Sequence, residues 1–245
     1  MLSGYKKLNE KKRLASLPAV VPPFTVRLRF KKVGNLQYIS HLDLQRTFMR
    51  VIVRACIPAW YTKGFNPHAK LVFSTPMSVG TESEYEFLDI RIDKDMSPEE
   101  IMRRLNAELT DELCITDAYI PTTDFSEIAY ATYDIRICSE GMTKDDAIRI
   151  KNILTTSPLT VTKKTKSGEK EIDIVPLIKS CDVGFVDGVI VMNATLSASV
   201  GEFLNPELLI TALKRECGLL SGDSTYEWYT IMRTSLRRGD MSLFR

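Results

Sequence analysis

Three arginine residues recur at a spacing of four, at Arg46, Arg50 and Arg54. In a helix this spacing places them about one turn apart on one face. A guanidinium group stays charged and offers a fork of donors, so the row suits successive phosphate groups. The alternative is a solvated helix face, but such faces usually interleave Glu with Lys, and no acid follows Asp43 in this segment. We therefore predict that the three arginines contact phosphates.

The segment from residue 61 to residue 70 combines aromatic, cationic and amide side chains with turn-forming residues. Gly64 could allow a ligand to approach the backbone closely. Alternatively, Gly64 and Asn66 serve only the turn, Phe65 fills the core and His68 bonds to a carbonyl. Loops on a rigid sheet commonly carry binding sites. We therefore predict a nucleotide-binding loop whose candidate residues are Tyr61, Lys63, Phe65, Asn66, His68 and Lys70.

The two histidines, His41 and His68, are the only candidates for general acid or base catalysis near neutral pH. With Tyr61 or Lys63 beside them, they could support metal-independent RNA cleavage, as in the two-domain CRISPR repeat-processing endoribonucleases. That analogy is one of architecture alone. A histidine at a helix start more often serves packing or capping, so we expect a protein that is not an enzyme and keep cleavage as the alternative.

The sequence offers no pattern for a metal or cofactor. It contains no P-loop and no G-x-G-x-x-G, G-x-S-x-G or H-x-x-x-H pattern. The acids from Glu82 to Asp89 alternate, which would split them between the two faces of a strand. The five cysteines are widely spaced and never form a C-x-x-C pair, which argues against a disulfide framework or a zinc site. We expect neither metal nor cofactor.

The charge is unevenly distributed along the 245 residues. Residues 1–75 contain 14 Lys and Arg against two acids, a net charge of +12, whereas the rest of the chain carries −10. A one-signed surface of this size repels itself, and a polyanionic partner is the simplest reason to keep it. RNA is the first candidate, and an acidic partner protein is the alternative.

The elements that would position these residues follow from periodicity and capping signals. Residues 24–30 alternate as a half-buried strand, and Ser40 and Asp43 open a helix that runs to about Ala55. The apolar run at residues 71–73, a strand at 84–92, a helix opened by Ser97 and a strand at 113–120 complete the order βαββαβ. We therefore predict an α+β protein whose first half, residues 24–121, is ferredoxin-like with an antiparallel sheet.

After the polar linker at residues 122–124 the same order recurs, which predicts a second ferredoxin-like half over residues 122–245. The predicted strands are residues 130–138, 159–164, 189–196 and 226–236, and the predicted helices are 143–154 and 205–215. A hairpin at residues 163–174 appears as an insertion. Residues 1–23 are basic and end in prolines, which predicts a flexible tail.

One face of the first sheet could also bind RNA. Arg27 and Arg29 on the first strand would lie beside Tyr85 and Phe87 on the third, and RNA-recognition modules stack bases on aromatic side chains there. Equally, this face could pack against the second half and bury Tyr85 and Phe87. We favour the second interpretation for the aromatic residues and keep both arginines as candidates.

No run approaches the roughly 18 consecutive apolar residues that a membrane span requires, and the first 17 residues lack the form of a signal peptide. We therefore expect a cytoplasmic protein without a membrane partner.

Residues 27–120 contain a specific set of motifs, namely Ser40-His41-Leu42-Asp43, Arg46, Arg50, Arg54-Ala55, Gly64-Phe65-Asn66-Pro67-His68, Gly80 and Glu84 to Ile90. Together they resemble the radical SAM-linked uncharacterised protein family. That family is a bacterial domain fused to, or encoded beside, a radical SAM protein. The resemblance implies a radical SAM protein as a partner, and this chain lacks the CxxxCxxC cluster motif, so it would be the accessory part.

Charge, arginine row and resemblance together predict an RNA-binding accessory protein that presents tRNA or rRNA to a radical SAM enzyme. The alternatives are a metal-independent endoribonuclease and a scaffold for an acidic partner protein.

Overall fold

The first strand shows how the alternation in the sequence becomes a buried face. A computed structural model describes residues 23–245 apart from residues 64, 157, 166–167 and 223–224. Strand β1 (Phe24–Lys32) buries Val26, Leu28 and Phe30 completely. The predicted basic tail lies, apart from Pro23, outside the described residues.

Helix α1 (His41–Arg54) begins where the capping signal predicts. The Ser40 side chain accepts a hydrogen bond from the backbone N–H of Asp43, and Asp43 lies in the first turn, where a negative charge suits the helix dipole. One face of α1 is buried against the first sheet through Leu44, Phe48, Val51 and Ile52.

The remaining elements of the first half follow the predicted order. Ser97 caps the second helix by accepting a hydrogen bond from the Glu100 N–H, and Pro98 occupies the first helical position. A short 3-10 helix, Gly34–Tyr38, precedes α1. The elements are β2 (Leu71–Phe73), β3 (Thr81–Ile92), α2 (Pro98–Asn106) and β4 (Leu113–Tyr119).

Among its described residues, the second half has six strands and two α-helices. Asn205 caps the last helix, and Gly218 ends it in the left-handed conformation that glycine tolerates best. The elements are β5 (Ile128–Cys138), α3 (Lys144–Thr155), β6 (Thr160–Thr165), β7 (Gly168–Asp173), β8 (Ile178–Val186), β9 (Val189–Ser197), α4 (Pro206–Cys217) and β10 (Trp228–Arg238).

Eight strands form one continuous, mostly antiparallel sheet in the order β4-β1-β3-β10-β5-β9-β8, with β2 paired to β3. The pairing between β3 and β10 is parallel and joins residues 81–83 to residues 231–233. This pairing differs from the expectation of purely antiparallel sheets in two halves, because the last strand of the second half extends the sheet of the first. The protein is therefore a mixed α+β structure.

The inserted hairpin is larger than the sequence predicts. Residues 160–165 are a strand as expected, but β6 pairs only with β7 in a separate two-stranded sheet. Strand β8, which the sequence analysis missed, takes the expected place beside β9 at the edge of the main sheet.

Each half has its own apolar core, and Phe87 connects the two. The first core lies between β1, β3, α1 and α2. Phe87 points away from those helices, is 1% exposed and packs edge-on against Phe244, with ring centroids 5.2 Å apart. The Tyr85 hydroxyl donates to the Phe244 carbonyl oxygen. The interpretation that this face packs against the second half is confirmed for Phe87, whereas Tyr85 is only partly buried and also lines a surface groove.

A buried ion pair joins the halves where β3 meets β10. The guanidinium of Arg233 donates to Glu86 Oε1 at 2.9 Å, and the two side chains are 1% and 6% exposed. Arg233 also donates to Thr75 Oγ1 at 2.6 Å and to the Pro76 carbonyl at 2.8 Å. Because these contacts replace much of the hydration that the guanidinium loses, the charge can be buried.

Lys32 lies close to this ion pair. Its ammonium donates to the carbonyl oxygens of Leu36, Gln37 and Thr81 at 3.1–3.2 Å. Burial lowers the pKa of Lys32 to about 8, although the nearby Glu86 carboxylate favours the charged form.

None of the helices in the described part of the chain has the length and apolar character that crossing a bilayer requires.

Candidate nucleic-acid interface

The arginine row lies on the exposed face of α1, but two of its members have acidic partners. Arg46 donates to Asp43 Oδ1 at 3.1 Å, and Arg54 donates to Glu108 Oε2 at 2.9 Å. Glu108 lies on the connection between α2 and β4, so the sequence of α1 does not reveal it. The expectation that the row is free of acids holds for Arg50, which is exposed and has no carboxylate within 4.0 Å among the described residues.

These ion pairs leave the row accessible. The side chains of Arg46 and Arg54 are 67% and 56% exposed. Exposed pairs of this kind contribute about 0–1 kcal/mol, so a phosphate can replace the carboxylate at little cost. The pKa of Asp43 is lowered, first by its hydrogen bond with Ser40 and then by Arg46.

The loop from residue 61 to residue 70 is a short hairpin. Tyr61 pairs with Ala69 in an isolated bridge, and the Thr62 N–H donates to the His68 carbonyl at 2.9 Å. The His68 N–H donates to Thr62 Oγ1, and His68 Nδ1 lies 3.2 Å from both Thr62 Oγ1 and the Asn66 carbonyl. His68 therefore connects the two sides of the hairpin through its contacts with Thr62 and Asn66, while remaining exposed.

The hairpin presents aromatic and cationic side chains to solvent. Phe65 is fully exposed and does not fill the core, and Tyr61 is 43% exposed. Lys63, Asn66 and Lys70 are also exposed. Gly64 lies outside the described residues. All the described candidates of this loop are therefore exposed on one short hairpin, namely Tyr61, Lys63, Phe65, Asn66, His68 and Lys70.

The two histidines lie apart. The ring of His41 at the start of α1 packs edge-on against Phe73, with centroids 5.0 Å apart. His68 belongs to the hairpin, and no hydrogen bond or ring contact between the two imidazoles occurs within the described residues. Over the same residues, no group of three or more His, Cys, Asp or Glu could hold a metal ion.

Arg27 does not belong to an exposed surface, which corrects the expectation for this residue. It is 1% exposed and donates to both Asp89 oxygens, at 2.7 and 2.8 Å. Its guanidinium lies 4.1 Å from the centroid of the Phe125 ring and 5.1 Å from that of Phe244. Two segments more than 90 residues away in sequence therefore cover it.

Arg29 remains accessible in a groove of about 390 Å³ on the same sheet face. Its guanidinium lies 5.2 Å from the Tyr85 ring centroid, and Nε donates to Thr116 Oγ1 at 3.1 Å. Lys31 and Glu84 also line the groove. The sequence analysis missed Lys31, although it continues the alternation of Arg27 and Arg29 along β1.

Comparisons with known proteins give a family and weak structural likenesses. A family model described as "Uncharacterized protein conserved in bacteria (DUF2344)" matches residues 25–206. No curated protein matches the sequence. A chain of the crystal structure of a Cbf5-Nop10-Gar1 complex is similar with a TM-score of 0.45 and 10% identity, over 90% of this chain and 50% of that chain.

A second solved structure, a DypB variant from Rhodococcus jostii RHA1 in complex with heme, gives a TM-score of 0.22 and 11% identity, over 87% of this chain and 92% of that chain. Of the first of these two structures, the chain in the Cbf5-Nop10-Gar1 complex, this protein spans about half the length. At these TM-scores, neither likeness carries an argument about function.

Proposed function

The chain belongs to this uncharacterised family of conserved bacterial proteins, and from that premise we propose that it binds single-stranded RNA through the hairpin at residues 61–70 and the exposed face of α1. The observation that carries the proposal is the exposed hairpin, in which Phe65 is fully exposed and lies in sequence between the exposed Lys63 and Lys70. A base can stack on such a ring while cations contact the backbone, as in proteins that bind single strands with little sequence preference.

The electrostatics support the same partner. In the first half, Arg29, Lys31, Arg50, Lys63 and Lys70 have no carboxylate within 4.0 Å among the described residues. Such cations gain free energy by releasing counterions from a phosphate backbone. Arg46 and Arg54 can join them by exchanging exposed carboxylates for phosphates.

The test is the salt dependence of affinity for a labelled single-stranded RNA. We expect log K to fall linearly with log salt, with a slope of about −0.7 per neutralised phosphate. Replacing Arg50 with Ala should make the slope shallower by about 0.7, because one phosphate contact is lost. Replacing Phe65 with Ala should weaken binding by about 1–3 kcal/mol at every salt concentration, because stacking is not screened.

Lys144→Ala is the matched control, since Lys144 is an exposed cation at the start of α3 in the other half. It should leave both affinity and slope unchanged. An affinity that does not depend on salt, or equal effects of the Arg50 and Lys144 variants, would contradict the proposal.

We also propose, from the motifs described in the sequence analysis, that a radical SAM protein receives the bound RNA. Mixing this protein with a radical SAM protein encoded beside a member of the family should give a joint peak in size-exclusion chromatography. Separate elution of the two proteins, with and without RNA, would contradict this part.

Finally, we propose that each half is a ferredoxin-like βαββαβ unit. In each half the first strand lies between the third and the last, as β1 lies between β3 and β4 and as β5 lies between β9 and β10. The second strand pairs with the third in both cases, β2 with β3 and β8 with β9. This pattern is typical of the split β-α-β arrangement.

A further inference from the structure

The second half has an open sheet face that the proposed RNA surface does not use. Residues that pair across neighbouring strands share a face, and so do alternate residues along each strand. Ile135, Ile137, Ile190 and Met192 point into the core. Their neighbours in sequence therefore form a second face that is directed away from it.

Two rows of side chains cross this face from β10 to β8. One row consists of Met232, Asp134, Asn193 and Asp182, which pair in register across the four strands. The next row consists of Thr230, Arg136, Val191 and Gly184. Carboxylates and an amide thus lie next to a cation and an apolar floor.

A cavity of about 740 Å³ opens on these rows. Gly184 contributes no side chain, so the backbone of β8 is accessible at this point of the floor, and a Cβ here would lie 3.4 Å from Val191 Cγ2. Trp228 and Val186 form apolar walls and are 43% and 54% exposed. The volume is in the range of ordinary small-molecule sites.

The polar groups at one end of the cavity are mainly acceptors. Asn193 Nδ2 donates to Asp134 Oδ1 at 2.6 Å, which orients the amide and leaves its carbonyl oxygen and Asp134 Oδ2 for other partners. Asp182 lines the same end, and within the described residues no cation lies within 4.0 Å of its carboxylate. Arg136 also lines the cavity and forms no ion pair with a described residue.

This arrangement suits a planar ligand with adjacent N–H donors on one edge and acceptors beside them. Guanine has both features, since N1–H and the N2 amino group can donate to a carboxylate while O6 and N7 accept from an arginine. Adenine, cytosine and uracil each lack the adjacent pair of an N1–H and an amino donor. The indole of Trp228 can stack on the base.

We propose that this cavity binds a guanine base, with Asp182 and the Asp134–Asn193 pair holding its donor edge, Arg136 its acceptor edge and Trp228 one face. The base can come from a guanine nucleotide or from RNA, and the second source rests on the proposed RNA-binding function. Lys151 of α3 also lines the cavity, so its ammonium group can contact the ribose or the phosphate of the nucleotide.

Tryptophan fluorescence tests the site directly. The chain has two tryptophans, so Trp60→Phe leaves Trp228 as the reporter. We expect GMP to quench it saturably and to bind at least about tenfold more tightly than AMP, CMP or UMP, the effect of one good bidentate contact. Asp182→Ala should lose this preference, whereas Asp93→Ala, which removes an exposed acid from the first half, should keep it. Absence of saturation at millimolar GMP, or equal binding of all four nucleotides, overturns the site.

RNA binding separates this proposal from the proposed function. A single strand that contains guanine should bind more tightly than a guanine-free strand of equal length, and Trp228→Ala or Arg136→Ala should remove the difference. If GMP binds but no RNA does, the cavity stands and the RNA-binding function fails. If both strands bind equally and neither variant matters, RNA binding stands and the cavity does not take its base.

Discussion

At the scale of single residues, partners that are distant in sequence determine whether each cation is buried, exposed or ion-paired. The alternation along β1 correctly predicts that Arg27 and Arg29 share a face. It does not predict that Phe125 and Phe244 cover Arg27 and leave Arg29 in an open groove, because those residues lie about 100 and 200 positions away. Likewise, Glu108 reaches Arg54 from the α2–β4 connection. Periodicity reveals the face of a side chain, whereas its exposure depends on what packs there.

Lys32 makes stability depend on pH in an unusual direction. Its pKa is lowered from 10.5 to about 8 by burial, so between these values the folded protein has released a proton that the unfolded chain still holds. The unfolding free energy must therefore rise with pH in that window. Below pH 8 the cost of burying the charge is fully present, and above 10.5 it is gone. We expect Lys32 to contribute a gain of about 2 kcal/mol between pH 8 and 10.

Urea unfolding of the wild type and of Lys32→Met over this range measures the effect. The variant has no titrating group at this position, so its curve should lack the rise. The raised pKa values of Tyr119 and Tyr133 lower stability above pH 10, and burial also raises the pKa of Cys181 to about 11 and that of Cys217, which lowers stability above about pH 9. These groups titrate in both proteins, so the difference between the two curves isolates Lys32. Parallel curves for the two proteins would show that Lys32 is not the cause.

At the scale of elements, local signals predict the helices, and β8 is the strand of the main sheet that the sequence analysis missed. Ser40 and Ser97 cap α1 and α2 as their sequence neighbours indicate. In β8, Cys181, Val183 and Phe185 alternate with Ser180, Asp182 and Gly184. This is the period of a half-buried strand, so the pattern that identifies β1 is also present in β8. Turn residues predict the hairpin at residues 61–70 as a loop, and the alternative in which His68 bonds to a carbonyl agrees with the 3.2 Å distance between His68 Nδ1 and the Asn66 carbonyl oxygen.

The end of α1 predicts a stabilising substitution. The Ile57 N–H donates to the Ile52 carbonyl and the Cys56 N–H to the Val53 carbonyl, which are the two hydrogen bonds of a Schellman motif. Cys56 has the positive φ of 53° that the motif requires and that glycine adopts more readily. Because the Cys56 side chain is exposed, Cys56→Gly should raise the unfolding free energy by about 0.5–1 kcal/mol.

Thermal unfolding measures this change, and Ala107→Gly provides the comparison. Ala107 ends α2 with a φ of −67°, where glycine gains nothing and adds flexibility to the unfolded chain. That variant should be less stable than the wild type. A Cys56→Gly protein that also loses stability would contradict the argument.

At the scale of the whole molecule, the parallel pairing of β3 with β10 turns two halves into one sheet. The order of elements in the sequence predicts two halves but not their junction, because only residues 81–83 and 231–233 pair there. The buried pair of Arg233 and Glu86 lies at this junction. We therefore expect the halves to unfold together in one cooperative transition.

A double-mutant cycle tests how the junction is held. Arg233→Met should cost about 3–5 kcal/mol, because Glu86 would stay buried without its partner. Adding Glu86→Leu should recover part of that loss, giving a coupling of at least about 1 kcal/mol. Arg103→Met breaks an exposed pair with Glu100 and should cost less than about 1 kcal/mol. A second unfolding transition in the wild type, or additive losses, would contradict this account.

The central position of β10 in the sheet also affects how the protein folds during its synthesis on the ribosome. Nine strands are translated before β10, yet β10 lies between β3 and β5. At about 5–20 residues per second, elongation from Ile92 to Arg238 takes about 7 to 30 seconds. During this delay the nascent chain exposes unpaired strand edges, which are prone to aggregation. Chaperones that shelter nascent chains therefore have a defined interval in which to act on this protein.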